Sequence, residues 1–428
     1  MNLLKFCKDL YRIPRSITGE GVVKTLEYIQ NIIPIEIKTI KSGTKIFDWI
    51  VPPEWNINDA YVVELNSGKK VIDLQSHNLH IVGYSIPIDD IFTFEELEKN
   101  LYYLKNQPEA IPYITSYYTK KWGFCLSYSQ FNKLDRKSKF KVVIDSSFNE
   151  DGSLTYGELL INGQSEEEIF FSSYICHPQM VNNELSGPAI LSAIAEKFHA
   201  TNNYFSMRFV LIPETIGSLV YLSENLKELK KNVIAGFNIS CVGDERMWGY
   251  LPSRKGVSYT DKVAKFVLKQ EKIKYKSFSW VDDRGSDERQ YCMPGIDLPV
   301  VCITRSKWDE YEEYHTSLDD FNFVTEKGLN ESLELYLKII ETINTNHFYK
   351  TNVLGEPQLV KRNLYPKVSD KKTWQKVKNL INVISFCDGE NDLIDICETL
   401  KIQYSECISI IKLYESLDLI EIKSKNLK

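Results

Sequence analysis

An apolar run of eight residues near the middle of the chain does most to limit the fold. Ile169-Phe170-Phe171-Ser172-Ser173-Tyr174-Ile175-Cys176 has the length and composition of a β-strand that is buried on both faces. His177 follows this run directly. Strands of this kind occur in open α/β sheets, in which ligand sites lie beyond the carboxyl ends of the strands. The run therefore predicts an α/β domain with His177 at the ligand-binding edge of its sheet.

Strand-like and helix-like segments alternate from residue 167 to residue 345, and polar residues stand where the strands are expected to end. This alternation is typical of a mainly parallel sheet covered by helices. Further strands are expected at 209–212, 233–240 and 298–303. The polar residues that follow the predicted strands are His177 with Glu184, Glu214, Asp244 and His315. These side chains are therefore expected to lie near one edge of the sheet.

Together these five residues could form a hydrolytic zinc site. Such a site needs three protein ligands from His and carboxylate side chains, a bound water, and a nearby carboxylate to take the water's proton. Each residue also has a simpler explanation. A single histidine after an apolar run is more often a hydrogen-bonded core residue, Glu214 could be a favourable charge at a helix N-terminus, and Asp244 could form a turn.

The remaining parts of the chain indicate two further domains. Short alternating strands rich in Tyr and Trp occupy residues 51–165, which predicts a β-rich domain inserted into the α/β domain formed by 1–50 and 166–350. Residues 360–428 show three helices and a final strand, the pattern of a winged helix. Acidic and basic residues are nearly balanced there, which favours docking of a partner over reading of DNA.

Composition excludes several classes of protein. The formal net charge of −6 over 428 residues argues against a dedicated nucleic-acid binder, because binding to phosphates needs a basic face. No segment reaches the apolar length of a membrane span, so no membrane partner is expected. Nine cysteines occur without a CxxC pair, and free thiols in a reducing cytoplasm are the expectation.

Short motifs in several parts of the chain resemble the co-catalytic zinc aminopeptidase superfamily. They are CHP at 176–178, NELSG at 183–187, PETIGS at 213–218, RGSDERQY at 284–291 and YHTSLD at 314–319. More narrowly, the chain looks like the aminopeptidase-like branch that is often encoded with bacterial polysaccharide-biosynthesis genes. RSITGEG at 15–21, NLH at 78–80, PYITSYY at 112–118 and WGFC at 122–125 resemble the same branch, as does the C-terminal winged helix.

This resemblance implies a phosphorylase/hydrolase-like mixed α/β sheet in which two zinc ions share a bridging Asp and a Glu acts as general base. Matched motif by motif, His177 and His315 take the positions of the first and last histidine ligands, and Glu214 that of the base. The segment before Met293 lies at the pocket wall of the superfamily, where an Arg could hold a substrate carboxylate. The residues expected to contact substrate are Asn183, Arg284, Asp287, Glu288, Arg289 and Tyr314.

Three positions depart from the superfamily pattern. Asn183 stands where the bridging Asp is expected, with Glu184 next to it, and Thr215 replaces the Glu that normally follows the base. The usual Asp ligand after the next strand falls near Ser240, and the nearest acid is Asp244. Two zinc ions need several carboxylates to offset their charge. One tightly held zinc ion, with Glu184 or Asp244 as its carboxylate ligand, therefore fits the sequence better than two.

The sequence leads to a cytoplasmic, metal-dependent hydrolase that cleaves an amide in a small peptide or in an N-acylated substrate such as a sugar-linked one. Two alternatives stay open. The departures at Asn183 and Thr215 are compatible with a non-catalytic binding or scaffold protein that has a degenerate metal site. The winged helix is compatible with a regulator. The sequence does not determine the oligomeric state and leaves a homo-oligomer open.

Overall fold

The computed structural model describes residues 1–365 and 371–423, and the side chains of 371–373 are not described. The chain divides into two compact units, residues 1–260 with 275–335 and residues 261–274 with 336–428. Its helices are α1 Leu3–Leu10, α2 Glu20–Gln30, α3 Phe94–Glu98, α4 Tyr128–Asn132, α5 Ser186–Phe198, α6 Ile216–Asn232, α7 Tyr259–Gln270, α8 Trp280–Asp283, α9 Glu288–Tyr291, α10 Glu326–Thr345, α11 Lys371–Ser385, α12 Leu393–Leu400 and α13 Tyr404–Ser416.

The strands are shorter and more numerous. They are β1 Glu36–Lys41, β2 Lys45–Ile46, β3 Trp49–Ile50, β4 Glu54–Glu64, β5 Lys69–Asp73, β6 Ile88–Thr93, β7 Leu101–Tyr102, β8 Phe124–Cys125, β9 Lys139–Asn149, β10 Ser153–Ile161, β11 Ser165–Tyr174, β12 Phe205–Ile212, β13 Val233–Asn238, β14 Trp248–Leu251, β15 Tyr275–Ser277, β16 Val300–Thr304, β17 Phe348–Thr351, β18 Asp388–Asp392, β19 Ile420–Lys423.

An eight-stranded mixed sheet forms the centre of the first unit, in the order β1-β10-β12-β11-β13-β16-β14-β15. Its four middle strands, β12, β11, β13 and β16, run parallel, whereas β10 and β14 flank them antiparallel. Strand β11, which contains most of the apolar run, is paired on both sides, and all eight residues of β12 are buried. The sequence prediction of a mixed α/β sheet with covering helices is therefore confirmed.

Stacked aromatic rings hold the middle of this sheet in register. Phe171 lies between Phe209 and Phe237, with ring centroids 5.0 and 5.7 Å away. Helix α5 covers the sheet, and its residues from Ser186 to Ala195 are all buried. The packed centre fixes the ends of β11, β12 and β13, so the loops that follow these strands start from a rigid base.

The inserted part forms a second sheet of its own, in the order β5-β4-β9-β6. Alternate side chains of β4 and β9 point into a separate core that includes Val62, Phe94, Phe140 and Val142. The predicted boundary at residue 165 is wrong, because β10 pairs with β1 and β12 and so belongs to the large sheet. The alternation of apolar and polar residues is similar in β10 and in the strands of the inserted domain. The pairing partners of a strand therefore decide to which sheet it belongs.

The second unit contains the three-stranded sheet β18-β17-β19 and helices α11, α12 and α13. Asp392 begins α12 with a capping box that includes Asp395, and Lys262 forms ion pairs of 2.7 Å with both carboxylates. The sheet includes Phe348–Thr351, so this unit starts earlier than the predicted residue 360. Part of the predicted domain, 366–370 and 424–428, lies outside the described residues.

Two predictions about the whole chain can be compared with the structure. All nine cysteines are buried and none forms a disulfide. Within the residues that the structure describes, no helix is both long enough and apolar enough to span a membrane.

Candidate active site

Three loops at the carboxyl edge of the large sheet bring His177, Glu214 and His315 together. His177 follows β11 and Glu214 follows β12, and the His177 Nε2 atom lies 3.6 Å from Glu214 Oε2. The imidazole rings of His177 and His315 have centroids 5.7 Å apart. A backbone contact also joins the first two loops, because the Glu214 N–H donates to Cys176 Sγ at 3.2 Å. Neighbouring parallel strands thus place two of the predicted site residues side by side.

Aromatic side chains enclose this group. The Tyr113 ring contacts both imidazoles, at 5.3 Å from His177 and 5.0 Å from His315, and its hydroxyl lies 2.7 Å from that of Tyr117. The Tyr314 ring stacks on His315 at 3.8 Å. Burial and the nearby His177 lower the pKa of His315 to about 3, so this ring is neutral at pH 7. The predicted substrate contact at Tyr314 therefore lies within the site.

A buried ion pair between Glu184 and Arg15 contacts His177 on the Nδ1 side of its ring. Glu184 Oε2 lies 3.0 Å from His177 Nδ1, and Glu184 Oε1 lies 3.3 Å from Arg15 Nε. The Arg15 and Glu184 side chains are both completely buried. Arg15 also donates to the backbone carbonyls of His177 and Leu10 at 2.9 and 2.8 Å. Glu184 therefore orients the imidazole through Nδ1, which leaves Nε2 to face Glu214.

Burial and the neighbouring side chains act in opposite directions on the pKa of His177. Burial lowers the pKa of the imidazole, but Cys176, Glu184 and Glu214 together hold it well above its usual value.

The sequence pattern predicted no role for Arg15 beyond its place in the RSITGEG motif. The Arg within this short motif was the signal that the sequence offered, and its full burial, which requires a partner, is seen in the structure.

A strained turn sets the direction of Glu214. Thr215 has φ 65° and ψ −72°, and the Ile216 N–H donates to the Glu214 carbonyl at 2.8 Å, which together define a γ-turn of the rare, strained form. A β-branched residue at positive φ is an outlier that its surroundings must hold in place. Asp287 does so, because its Oδ1 accepts from the Thr215 N–H at 2.7 Å and from the Ser218 hydroxyl at 2.8 Å.

The structure gives the predicted substrate contacts at 284–289 different tasks. Burial and the charge of Glu214 raise the pKa of Asp287, whose carboxylate holds the γ-turn. Glu288 is fully buried and accepts from the backbone N–H groups of Gly285 and Ser286, which is a structural role. The Arg284 guanidinium donates to backbone carbonyls on the protein surface. Arg289 also contacts the turn at Glu214, through a 2.7 Å hydrogen bond from Nη2 to Thr215 Oγ1.

Asp244 is the predicted ligand that the structure supports least. One carboxylate oxygen accepts from the Ser306 hydroxyl and the Arg246 N–H, and the other accepts from the Ser306 N–H, at 2.8 to 2.9 Å. A carboxylate with both oxygens engaged in this way joins two loops, and its simpler explanation as a turn former agrees with these contacts. The spacing of residues in the sequence could not reveal this contact, because Ser306 follows β16 whereas Asp244 follows β13.

Asn183 lies in a π-helical turn, Val181–Leu185, that Asp319 holds from outside. The two carboxylate oxygens of Asp319 accept the backbone N–H groups of Val181, Asn182 and Asn183, at 3.2, 2.6 and 2.8 Å. The amide Nδ2 of Asn183 is buried and has no hydrogen-bond partner in the part of the chain that the structure describes. Short π-helical turns are frequent at functional sites. Asp319, the last residue of the YHTSLD motif, thus positions the loop that carries Glu184.

Replacing Asp319 with Asn is expected to lower the free energy of unfolding by about 1–3 kcal/mol, because the new NH₂ group would face backbone N–H donors and leave buried donors unsatisfied. Urea unfolding followed by tryptophan fluorescence measures this change. Asp320→Asn is the matched control, since the Asp320 carboxylate bonds only locally to Asn322 near the surface, and a shift within about 0.5 kcal/mol is expected. Equal effects of the two substitutions would contradict the role given to Asp319.

The donor set does not match a pair of zinc ions. Asn183 is neutral, Thr215 is bonded to Arg289, and Glu184 is engaged with Arg15 and His177. Across residues 1–365 and 371–423, no three His, Cys, Asp or Glu side chains form a group that could hold a metal ion. The predicted ligand set of His177, Glu184, Asp244 and His315 is therefore not assembled around one point.

Comparison with known proteins identifies the family. Residues 4–346 match the model of a domain of unknown function, DUF4910, and residues 347–422 match a winged helix-turn-helix model. The chain belongs to the DUF4910 family. The winged-helix match also starts before residue 360, in agreement with the position of β17.

Relatives with known names agree with the predicted resemblance. A Clostridium acetobutylicum protein is 43% identical over 394 residues, which are 91% of this chain and 89% of the relative, and its name assigns it provisionally to polysaccharide biosynthesis, with an aminopeptidase-like domain. A crystal structure from the same organism, provisionally named a peptidase, has a TM-score of 0.91 and 39% identity, and covers 98% of this chain and 96% of that chain.

More distant structures share the fold alone. A zinc aminopeptidase from Bacillus subtilis has a TM-score of 0.57 at 12% identity and covers 80% of this chain and 94% of that chain. The predicted resemblance to the aminopeptidase-like branch, with its C-terminal winged helix, is confirmed. This chain therefore has an aminopeptidase-like fold.

Proposed function

We propose that this DUF4910 protein hydrolyses an amide bond in a small peptide or N-acyl substrate. The observation that carries the proposal is the position of Glu214, whose side chain is 23% exposed and lies 3.6 Å from His177 Nε2. Polar atoms at this separation can share one bridging water. A water between them would touch a carboxylate on one side and an imidazole on the other.

The chemistry follows from these two side chains. Glu214 accepts a proton from the water, the water oxygen attacks the amide carbon, and the C–N bond breaks as Glu214 returns the proton to the leaving nitrogen. The γ-turn at Thr215 holds the carboxylate, and Glu184 keeps the His177 ring in place. Tyr113 and Tyr314 form apolar walls that limit access of other water molecules.

Release of a free amine from a substrate panel tests this function. The panel contains aminoacyl amides, N-acetylated amino acids and N-acetylated hexosamines, the last because the named Clostridium relative is assigned to polysaccharide biosynthesis. Saturable cleavage of at least one class, proportional to protein concentration, is expected. Absence of cleavage of every class, with and without added zinc, would contradict the proposal.

Zinc analysis of protein purified without chelators or added metal tests the predicted single ion separately. A stoichiometric content would mean that side chains of this site rearrange to hold a cation. Activity in metal-free protein would mean that the side chains alone supply the chemistry.

A non-catalytic binding protein is the second candidate. The observations that favour it are the neutral residues Asn183 and Thr215 at positions where the zinc aminopeptidases are expected to have carboxylates, together with the ion pair that engages Glu184. A panel without any cleaved substrate, combined with ligand binding at the same site, would favour this candidate over the hydrolase.

A further inference from the structure

Arg289 is a cation beside the proposed catalytic carboxylate, and it forms few contacts of its own. Its Nη2 donates to Thr215 Oγ1 at 2.7 Å, whereas its Nε is buried and has no hydrogen-bond partner among the described residues. A guanidinium has five N–H donors and stays charged at any pH that proteins experience. No Asp or Glu oxygen of the described residues lies within 4.0 Å of its nitrogens, although the side chain is partly buried.

Other arginines of the first unit show how unusual this is. Each of the arginines that are as buried as Arg289, or nearly so, has a carboxylate partner within that distance. They are Arg15 with Glu184, Arg208 with Glu158 and Glu168, Arg254 with Asp297, and Arg305 with Glu331. A partly buried charge without such a partner is unfavourable by itself, which makes Arg289 a candidate for binding a group that the chain does not supply.

The charge of Arg289 acts on the site. Burial and Glu214 raise the pKa values of both Asp287 and Tyr314, and the positive charge of Arg289 counteracts the rise in each case. Asp287 forms no ion pair with Arg289 among the described residues: its Oδ1 accepts from Thr215 and Ser218, and its Oδ2 is buried without a hydrogen-bond partner. The positive charge is therefore available at the side of Glu214 where the γ-turn begins.

Residue 215 explains why this charge is free. The sequence has Thr at the position where the zinc aminopeptidase pattern has a second Glu. Thr215 Oγ1 is near enough to accept from Arg289, so a carboxylate at position 215 would be able to pair with the guanidinium. The neutral Thr215 hydroxyl accepts from one N–H group of Arg289, so the positive charge of the guanidinium can still pair with an anion of a ligand.

We infer that Arg289 binds a carboxylate of the ligand, so that this site takes amides that carry a free carboxylate, such as N-acylated amino acids. Guanidinium and carboxylate are matched in shape and charge, and two parallel hydrogen bonds give both affinity and orientation. The inference that such ligands are cleaved rests on the proposed function. Their binding does not, because Arg289 acts on the carboxylate and Glu214 on the amide.

A matched pair of ligands tests the inference on the full-length protein. N-acetyl-L-alanine and N-acetyl-L-alanine amide differ only in whether the terminal group is a carboxylate or a carboxamide. Saturation-transfer NMR titrations give both dissociation constants, and the same spectra show any release of acetate. The acid is expected to bind about tenfold more tightly than the amide, as a charge-assisted pair of hydrogen bonds would give.

Three variants test whether Arg289 causes the preference for the acid over the amide. Arg289→Gln is expected to bring the two dissociation constants within about twofold of each other. Arg289→Lys is expected to retain part of the preference for the acid, because Lys keeps the positive charge but cannot form two parallel hydrogen bonds to one carboxylate. Arg136→Gln removes a guanidinium that lies over the rings of Phe94 and Phe131 in the inserted domain, and it is expected to leave both dissociation constants unchanged. Circular dichroism and the midpoint of thermal unfolding show whether each variant is folded.

The outcomes separate this inference from the proposed function. Equal affinity for the two ligands, no detectable binding of the acid, or a preference that survives in folded Arg289→Gln would overturn the carboxylate site even if amides are cleaved. A preference that depends on Arg289, without acetate release or cleavage of any panel substrate, would support the carboxylate site and count against the hydrolase.

Discussion

Replacing Arg15 with Met is expected to lower the free energy of unfolding by about 3–5 kcal/mol, because removal of one partner leaves a buried charge uncompensated. Arg15 and Glu184 are both completely buried, and their nearest charged atoms are 3.3 Å apart. Met keeps most of the volume of the side chain, so the loss would report the charge and the hydrogen bonds rather than a cavity. Urea unfolding followed by tryptophan fluorescence measures it.

A double-mutant cycle supplies the control for this prediction. Glu184→Gln alone leaves Arg15 without its carboxylate and is expected to destabilise the protein as well, whereas the double variant has no buried ion pair to break. The double variant is therefore expected to be more stable than the sum of the two single effects predicts, by at least about 1 kcal/mol. Additive effects would show that the two charges do not stabilise each other.

The ion pair also links stability to the chemistry of the site. Glu184 contacts His177 Nδ1, and Arg15 donates to the His177 carbonyl, so the same two side chains fix both the ring and the backbone of this residue. Buried charges are costly, and a hydrophobic pair would often serve stability equally well. Their presence here is understood most simply as a requirement for holding one imidazole in one orientation.

Those parts of the site that depend on strand ends could be predicted from the sequence. The apolar run before His177 and the strand before Glu214 are buried, parallel neighbours, so residues that follow them must meet at one edge of the sheet. His315 was expected in the loop after the predicted strand at 298–303, and the resemblance to zinc aminopeptidases gave it a place in the same site. Periodicity and local motifs were sufficient for these positions because each follows directly from the fold of a single segment.

Other parts depend on contacts between distant segments, which periodicity does not encode. Asp244 looked like a ligand until Ser306 was seen to engage it, and β10 looked like part of the inserted domain until its pairing with β1 and β12 was known. The γ-turn at Thr215 was equally invisible, because a β-branched residue at positive φ contradicts its own local preference. Tertiary contacts outweigh local preference at each of these positions.

Replacing Glu214 with Gln is expected to reduce kcat on any amide that the protein cleaves by about 10²- to 10⁴-fold, the range that general-base groups usually contribute. Gln has the same shape and can hold a water, but it cannot accept the water's proton. The expected result is therefore a loss in kcat with little change in KM. Initial rates at several substrate concentrations, on the substrate identified from the panel, give both constants.

A matched control and a metal analysis determine what the loss means. Glu312→Gln makes the same change three residues before His315, at an exposed position, and is expected to leave kcat unchanged. Retained kcat in Glu214→Gln would exclude Glu214 as the base. Simultaneous loss of activity and of bound zinc would instead make Glu214 a ligand. Loss of activity with unchanged metal content and unfolding midpoint would support proton transfer as its function, because Gln keeps the shape of the side chain and loses the basic oxygen.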